Sequence, residues 1–419
     1  MLENPGKKIK GGVCAPLGFR AHAVECGIKD PKNLRLDMGL IHSIEPAITT
    51  GVFTTNRIKA APVKVSQNHI KATDVQAMLV NSGNANACTG VDGVQDTKSC
   101  TKIVAKELGI NMRQVAVCST GVIGLPLPVE RMEAKLPELV EGLSGTHKQA
   151  DIFAKSIMTS DTRQKEVAIE IEIDGKPVRI GACAKGAGMI KPSMATMLCF
   201  VTTDLAIKKD HLHKLLLHAT EQTFNRISID GDMSTNDTVL LMANGASGAK
   251  IGRRNGKNCK IFIQALTYIM DQLARAIVLD GEKVSKFVTL KVVQASSYIN
   301  AKKIAEAVSN SPLVKSAWNG DDPNWGRVIH AVGYARASIQ EELIDIYWNK
   351  ELACKGGKLG PASIKKLRKI ACKDAFEITI DLNMGESDYT MYTSDLSPEY
   401  VDYNRSEYSY WKAVERNQG

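Results

Sequence analysis

The chain has 419 residues, 44% of them hydrophobic and 24% charged, the balance of an ordinary globular protein with room for two lobes or for one large domain that processing divides. Its net charge of +9 comes from 54 basic and 45 acidic residues, and the basic clusters at Lys7-Lys8-Ile9-Lys10, Arg253-Arg254 and Lys365-Lys366-Leu367-Arg368-Lys369 lack interleaved aromatics, so no nucleic-acid partner is expected. No apolar run approaches the roughly 20 residues that span a bilayer and the N-terminus lacks a signal-peptide core, so no membrane partner is expected and the reading is cytoplasmic.

In chain order, the first periodic segment is a helix over Gln95 to Leu108. Val167 to Ile173 alternates apolar and polar residues, runs into the turn Asp174-Gly175 and returns through Val178-Arg179-Ile180, which predicts a hairpin. The hairpin leads into Lys185-Gly186-Ala187-Gly188-Met189-Ile190-Lys191-Pro192-Ser193-Met194-Ala195-Thr196, a glycine-rich loop, and then into the apolar run Met197 to Val201, a buried strand. A helix follows, with Asp210 as its cap and Leu212, Leu215, Leu216, Ala219, Thr223 and Phe224 on one face. Ile261 to Leu279 predicts a longer apolar helix, Asn300 to Val308 a short capped one, and Phe376 to Leu382 an alternating strand. Strands and helices are mixed through both halves, which predicts an α+β layered fold.

Several motifs lead nowhere. The ten cysteines form no Cys-x-x-Cys pair and are expected to be buried thiols. Gly252-Arg253-Arg254-Asn255-Gly256-Lys257 is one residue short of a phosphate loop, and Asn258 follows it. His211, His213 and His218 share a predicted helix without a zinc-binding pattern and are expected on a solvated face, so no metal is expected.

The chemistry centres on Thr196. A threonine hydroxyl must lose a proton as it attacks, and no His-Asp pair lies nearby in sequence to take it. An N-terminal threonine solves this with its own α-amine, whose pKa of roughly 7.7–8.0 leaves a useful neutral fraction near pH 7. Thr196 is internal, so the chain would first have to cut itself after Ala195, whose small side chain leaves that carbonyl accessible. Gly186 and Gly188 permit strained turns just upstream and Pro192 fixes a further bend. On pattern alone the same residues also describe a plain loop entering a buried strand.

This segment resembles the signature Lys-Gly-Ser-Gly-Met-Ile-x-Pro-x-Met-Ala-Thr-Met-Leu of the glutamate N-acetyltransferase/ornithine acetyltransferase family of arginine biosynthesis. Further family-like blocks are Gly51-Val52-Phe53-Thr54-Thr55-Asn56-Arg57, Asn81-Ser82-Gly83-Asn84-Ala85-Asn86-Ala87-Cys88-Thr89-Gly90, Ser119-Thr120-Gly121, Ser228 to Asp237, Asp280-Gly281-Glu282 and Asp322-Pro323-Asn324-Trp325-Gly326-Arg327. They fall in the family's order across nearly the whole chain. The resemblance implies a layered α/β/β/α sandwich that cleaves itself between Ala195 and Thr196. The products would be chain 1–195 and chain 196–419, which would assemble and double into a heterotetramer.

By the same resemblance Thr196 is the nucleophile, first on its own backbone and then on an acetyl donor. Thr120 and Gly121 match the positions that stabilise the oxyanion; a plain turn is the reading of Ser119-Thr120-Gly121 without the family. Thr159, Lys185 and Glu282 match substrate contacts, with Lys185 suited to a carboxylate and Glu282 to an ammonium; taken alone, each would be an ordinary surface group. Asn404 and Ser409 correspond to the family's C-terminal contacts, although the tail here is longer and its tyrosine stands one place late. The implied partners are N2-acetylornithine, glutamate, ornithine and N-acetylglutamate. No cofactor is implied, and acetyl-CoA is a co-substrate in the bifunctional members. A self-processing aminopeptidase or amide hydrolase of related architecture, with water in place of the acceptor amine, is the alternative.

Overall fold

The computed structural model describes residues 3–32, 34–191, 197–252, 256–406, 412, 414 and 415. The strands are β1 (Lys7–Ile9), β2 (Phe19–Glu25), β3 (Leu36–Phe53), β4 (Val75–Asn84), β5 (Val115–Val122), β6 (Lys165–Ile173), β7 (Lys176–Lys185), β8 (Leu198–Thr203), β9 (Ala206–Ile207), β10 (Ile227–Ser228), β11 (Thr238–Ala243) and β12 (Lys250–Ile251). A later group follows: β13 (Phe287–Ala295), β14 (Asp345–Trp348), β15 (Glu351–Lys355), β16 (Lys358–Leu359), β17 (Ala375–Asp381) and β18 (Ser387–Ser394). The α-helices are α1 (Ala61–Ala72), α2 (Gly90–Leu108), α3 (Val129–Glu141), α4 (His147–Ser156), α5 (Lys209–Gln222), α6 (Lys257–Leu279), α7 (Tyr298–Ser309), α8 (Pro312–Asn319), α9 (Trp325–Gly333), α10 (Ile364–Ala371) and α11 (Pro398–Ser406).

Nine strands form one bent sheet in the order β1-β6-β7-β8-β11-β3-β4-β5, with β2 on the outer edge of β3. The 18-residue β3 makes the bend: its first half pairs with β2 and β4, and its last six residues pair with β11. The two arms of the sheet then lie face to face. Cys183, Phe200, Leu240 and Met242 from one arm share a core with Met78, Val80, Ala116 and Cys118 from the other, and Phe153 of α4 fills one end, edge-on to Phe200 at 5.7 Å. The outer face of the β6–β11 arm buries Ile171, Ile180, Val201 and Leu241 against α5 and α6. On the other arm, Leu40, Leu79 and Val117 pack on α2 and α3. The result is the expected α/β/β/α layering. It also explains why Leu198 to Val201 reads as a continuous apolar run, because a strand buried on both faces has no polar side.

The predicted hairpin is present as β6 and β7, with Asp174 and Gly175 both at positive φ (51° and 73°) in its turn. Helix α5 starts at Lys209, so Asp210 stands inside the first turn, where its charge meets the helix dipole; it is not the cap. His211 is buried against Cys259 Sγ (3.3 Å), and His213 Nδ1 lies 2.7 Å from Thr50 Oγ1, so only His218 of the three is on an exposed face. Helix α6 is long and apolar enough to cross a membrane, yet 61% of its most apolar window is buried, and it serves as the core helix of this layer. Eight cysteines are buried, while Cys88 and Cys372 are exposed.

A seven-stranded sheet, ordered β10-β18-β13-β17-β14-β15-β16, carries its own core. Val288, Leu290 and Val292 alternate inward with Ile378 and Ile380 to meet Ile304, Val308, Trp318 and Val328 of α7 to α9. Ser297 caps α7 by accepting from Asn300 N–H at 3.3 Å, so the helix begins two residues before the predicted Asn300.

Candidate active site

Three neighbouring strands bring the central residues together. Lys185 ends β7 and pairs with Leu198, the first residue of β8, which also pairs with Thr238, the first residue of β11. Lys185, Met197 and Asp237 therefore stand at the same end of the sheet. Met197 N–H, the amide that follows Thr196 in sequence, donates to Asp237 Oδ1 at 3.0 Å, and Met197 C=O accepts from Thr238 N–H at 3.1 Å. The second oxygen of Asp237 is buried, with no hydrogen bond of good geometry among the described residues, although the Thr54 and Ser234 hydroxyls lie close enough to favour its ionised form. Burial pushes this carboxyl well above the usual range, against the opposing pull of the Met197 amide and Lys185.

Lys185 is buried, not a surface group, and its Nζ donates to Thr159 Oγ1 at 2.6 Å. Burial pulls the ammonium below the ordinary lysine range; Asp161, Glu282 and Asp237 work against that, and Lys165 adds to it. Asp161 organises the surroundings. Its Oδ1 accepts from Lys165 Nζ (2.7 Å) and Gly186 N–H (2.8 Å), and its Oδ2 accepts from Thr159 N–H (3.0 Å) and lies 3.8 Å from Lys185 Nζ. Burial alone would raise Asp161, but the two lysines and these hydrogen bonds outweigh it and hold the carboxyl at about 2. Lys165 also donates to Asp280 Oδ2 at 2.5 Å, and Asp280 receives the N–H and hydroxyl of Thr162.

Asp280 is the C-cap of α6, and two residues later Glu282 is half-buried with its N–H on Ala187 C=O at 2.9 Å. A Cβ on Gly188 would lie 2.5 Å from the Glu282 carboxylate, so glycine there is what lets the acid approach the loop. Asn404 Nδ2 donates to Glu282 Oε2 at 3.0 Å, which ties α11 to the site. Tyr400 O–H donates to Asp230 Oδ2 at 3.2 Å, and Asp230 also receives the N–H groups of Met189 and Ile190. Met189, which follows Gly188, and Lys283, which follows Glu282, have positive φ (61° and 55°), a conformation uncommon for non-glycine residues.

Thr120 and Gly121 lie near the end of strand β5, just before Val122, which corrects the reading of a plain turn. Gly121 pairs with Gly83, and a Cβ on it (φ 137°) would lie 2.2 Å from Gly83 C and 2.5 Å from Asn84 N. Two glycines face each other because the backbones approach closely there. Asn236 joins this region to the rest: its Nδ2 donates to Ala85 C=O (2.6 Å) and Ser119 C=O (2.8 Å), and the next residue is Asp237.

The structure thus places Thr159 against Lys185 and Asn404 against Glu282, and it links Thr120 and Gly121 to Met197 through Asn236 and Asp237. Ala195, Thr196 and Ser409 lie outside the described residues. Sequence reasoning assigned no role to Asp161, Lys165, Asp237 or Asp280, although Asp237 and Asp280 stand within quoted motifs. Among the described residues no three His, Cys, Asp or Glu side chains group to hold a metal ion.

A sequence profile described as the ArgJ family matches residues 20–409. The arginine biosynthesis bifunctional protein ArgJ of Geobacter sulfurreducens is 43% identical over 388 residues, which span 92% of this chain and 98% of that protein. The glutamate N-acetyltransferase of Methanocaldococcus jannaschii is 42% identical over 408 residues, spanning 94% and 98%. A crystal structure of ornithine acetyltransferase complexed with ornithine from Mycobacterium tuberculosis has 38% identity and a TM-score of 0.40, and covers 44% of this chain and 95% of that one. The protein is an acyltransferase of arginine biosynthesis. Its chain belongs to the ArgJ family.

Proposed function

We propose that the enzyme moves acetyl from N2-acetylornithine to glutamate through an ester on Thr196, after cutting its own backbone between Ala195 and Thr196. In the cut, the Thr196 hydroxyl attacks the Ala195 carbonyl, the C–N bond breaks as the nitrogen takes a proton, and water hydrolyses the resulting ester. Chain 1–195 then ends in a carboxylate and chain 196–419 begins with a free amine. In turnover that amine takes the hydroxyl proton as the oxygen attacks the acetyl carbonyl. Collapse of the tetrahedral oxyanion expels the ornithine amine with the proton. The glutamate amine then attacks the ester and returns the proton to the threonine oxygen. Thr120 and the Gly121 N–H supply the oxyanion donors.

The observation that carries this reading is a buried ammonium at the end of β7 with a half-buried carboxylate near enough to act on it electrostatically. Lys185 with Thr159 suits the carboxylate of an amino acid and Glu282 with Asn404 suits its ammonium; Ser409 is proposed as a further substrate contact on the family resemblance alone. Both substrates are amino acids or their N-acetyl derivatives, so one site can serve each half-reaction. Whether acetyl-CoA also serves as a donor is decided by the glutamate-acetylation assay below; no cofactor takes part, and the processed chains work as a heterotetramer in the cytoplasm.

Intact-mass measurement and N-terminal sequencing test the scheme. Active enzyme should show a second start reading Thr-Met-Leu, and brief exposure to N2-acetylornithine should add one acetyl group to chain 196–419. Full activity in an uncut chain or in Thr196→Ala would overturn it, and release of acetate in place of N-acetylglutamate would indicate a hydrolase. Glutamate acetylation with acetyl-CoA as sole donor tests the second donor.

A further inference from the structure

On the reading that Lys185 binds the substrate carboxylate, its ammonium must be held ready before the substrate arrives. We propose that Asp161 is its positioning residue, holding Lys185 by charge while its own hydrogen bonds go elsewhere, and that Lys165 keeps Asp161 from closing on Lys185.

The geometry separates the two kinds of interaction. An ammonium has three donors, and Lys185 gives one to Thr159 Oγ1 at 2.6 Å. The 3.8 Å to Asp161 Oδ2 is an ion pair too long to be a hydrogen bond. Two donors of Lys185 are therefore unspent among the described residues, as a receptor for a carboxylate requires. Asp161 meanwhile spends its oxygens on Gly186 N–H, Thr159 N–H and Lys165 Nζ. It thus fixes the backbone on both sides of the receptor, at residue 159 and at residue 186. Lys165 is shared with Asp280 at 2.5 Å, so two anions and two cations balance in this buried group before any substrate arrives. A direct Asp161–Lys185 contact would occupy the donors the substrate needs.

The charged groups facing Lys185 are Asp161 from the loop before β6, Lys165 on β6, Glu282 beyond α6 and Asp237 before β11. The three acids favour the protonated lysine and Lys165 disfavours it. Two substitutions therefore move the enzyme's pH response in opposite directions while both weaken binding. Asp161→Asn removes an acid, so the alkaline limb of kcat/KM for glutamate moves to lower pH, by about one unit, and KM rises about tenfold. Lys165→Met removes the like charge and releases Asp161 onto Lys185, so the limb moves to higher pH while KM also rises.

The test measures pH profiles of kcat and KM for both variants beside Lys185→Met, on processed protein whose thermal unfolding shows it folded. Opposite shifts of the alkaline limb support the proposal, because a purely structural loss would lower activity without moving the limb. Limbs that stay in place, or that move together, overturn it. Should Asp161→Asn fail to fold, Lys165→Met decides alone: an upward shift with raised KM supports, and any other outcome refutes. If Lys185→Met leaves KM for glutamate unchanged, the underlying reading of the site fails. If Lys185→Met raises KM but Asp161→Asn changes neither KM nor the limb, this inference fails by itself.

Discussion

One wall of the site is made of side chains and the other of backbone, and they tolerate change differently. Around Lys185, Thr159, Asp161 and Glu282, position is set by charges and hydrogen bonds between long side chains that can shift by a fraction of an ångström. Around Gly121, Gly83, Met197 and Asp237, position is set by main chains in close approach and by one acceptor for one amide. Substitutions on the first wall should grade binding, and those on the second should switch chemistry on or off.

Gly121→Ala is the sharpest way to break the second wall. Its Cβ would fall 2.2 Å from Gly83 C, where only backbone can yield, so an oxyanion donor is displaced. The expected loss in kcat is about 10²- to 10³-fold with folding retained, read by steady-state kinetics alongside circular dichroism. Next in size is Asp237. Asp237→Ala leaves the buried Met197 N–H without its acceptor, a loss of about 1–3 kcal/mol in unfolding free energy, with slowed formation of the 1–195 and 196–419 chains. Asp237→Asn keeps a neutral acceptor of the same shape and should process nearly as the wild type. The native carboxyl titrates above its unfolded value, so the folded state binds the extra proton. Its contribution to stability is therefore lost as pH rises through that raised value, and Asp237→Asn should flatten this fall in denaturant titrations.

On the side-chain wall the effects shrink. Gly188→Ala would place a Cβ 2.5 Å from the Glu282 carboxylate, the free end of a flexible side chain, which can swing aside. KM for glutamate should rise about tenfold while kcat changes little, in keeping with loss of one charge-assisted contact. Smallest is the acid response of Asp161. Its folded value of about 2 lies below the unfolded one of about 3.9, so its stabilisation is complete above that pH and is lost as pH falls from about 4 towards 2. Denaturant midpoints of the native protein should decline across that window, and Asp161→Asn should remove part of the decline.

The same contrast governs what the sequence reveals. The β6–β7 hairpin, the buried run of β8 and the helices α2, α5, α6 and α7 are legible because each rests on local periodicity and turn chemistry. The two-armed bend of β3 is missed although Pro46, which cannot donate to a ladder and follows the exposed Ile44 and Glu45, stands where its partners change. Thr120 and Gly121 read locally as a turn because a glycine signals chain freedom equally in a turn and in a close strand approach. Lys185 read as a surface group because its counter-charges lie elsewhere: Asp161 stands 24 residues away and Glu282 nearly a hundred. Asp210 shows the opposite error, a favourable cap residue that stands two positions past the actual cap, Lys208, because the helix starts at Lys209.

The strand order carries one last consequence for a molecule severed ahead of residue 196. β8 and β11 sit between β7 on one flank and β3 on the other, with six paired residues along each seam. The two pieces would be interleaved like fingers of clasped hands, and neither could leave without unzipping both seams at once. A nick there would cost the enzyme its covalent continuity and none of its cohesion.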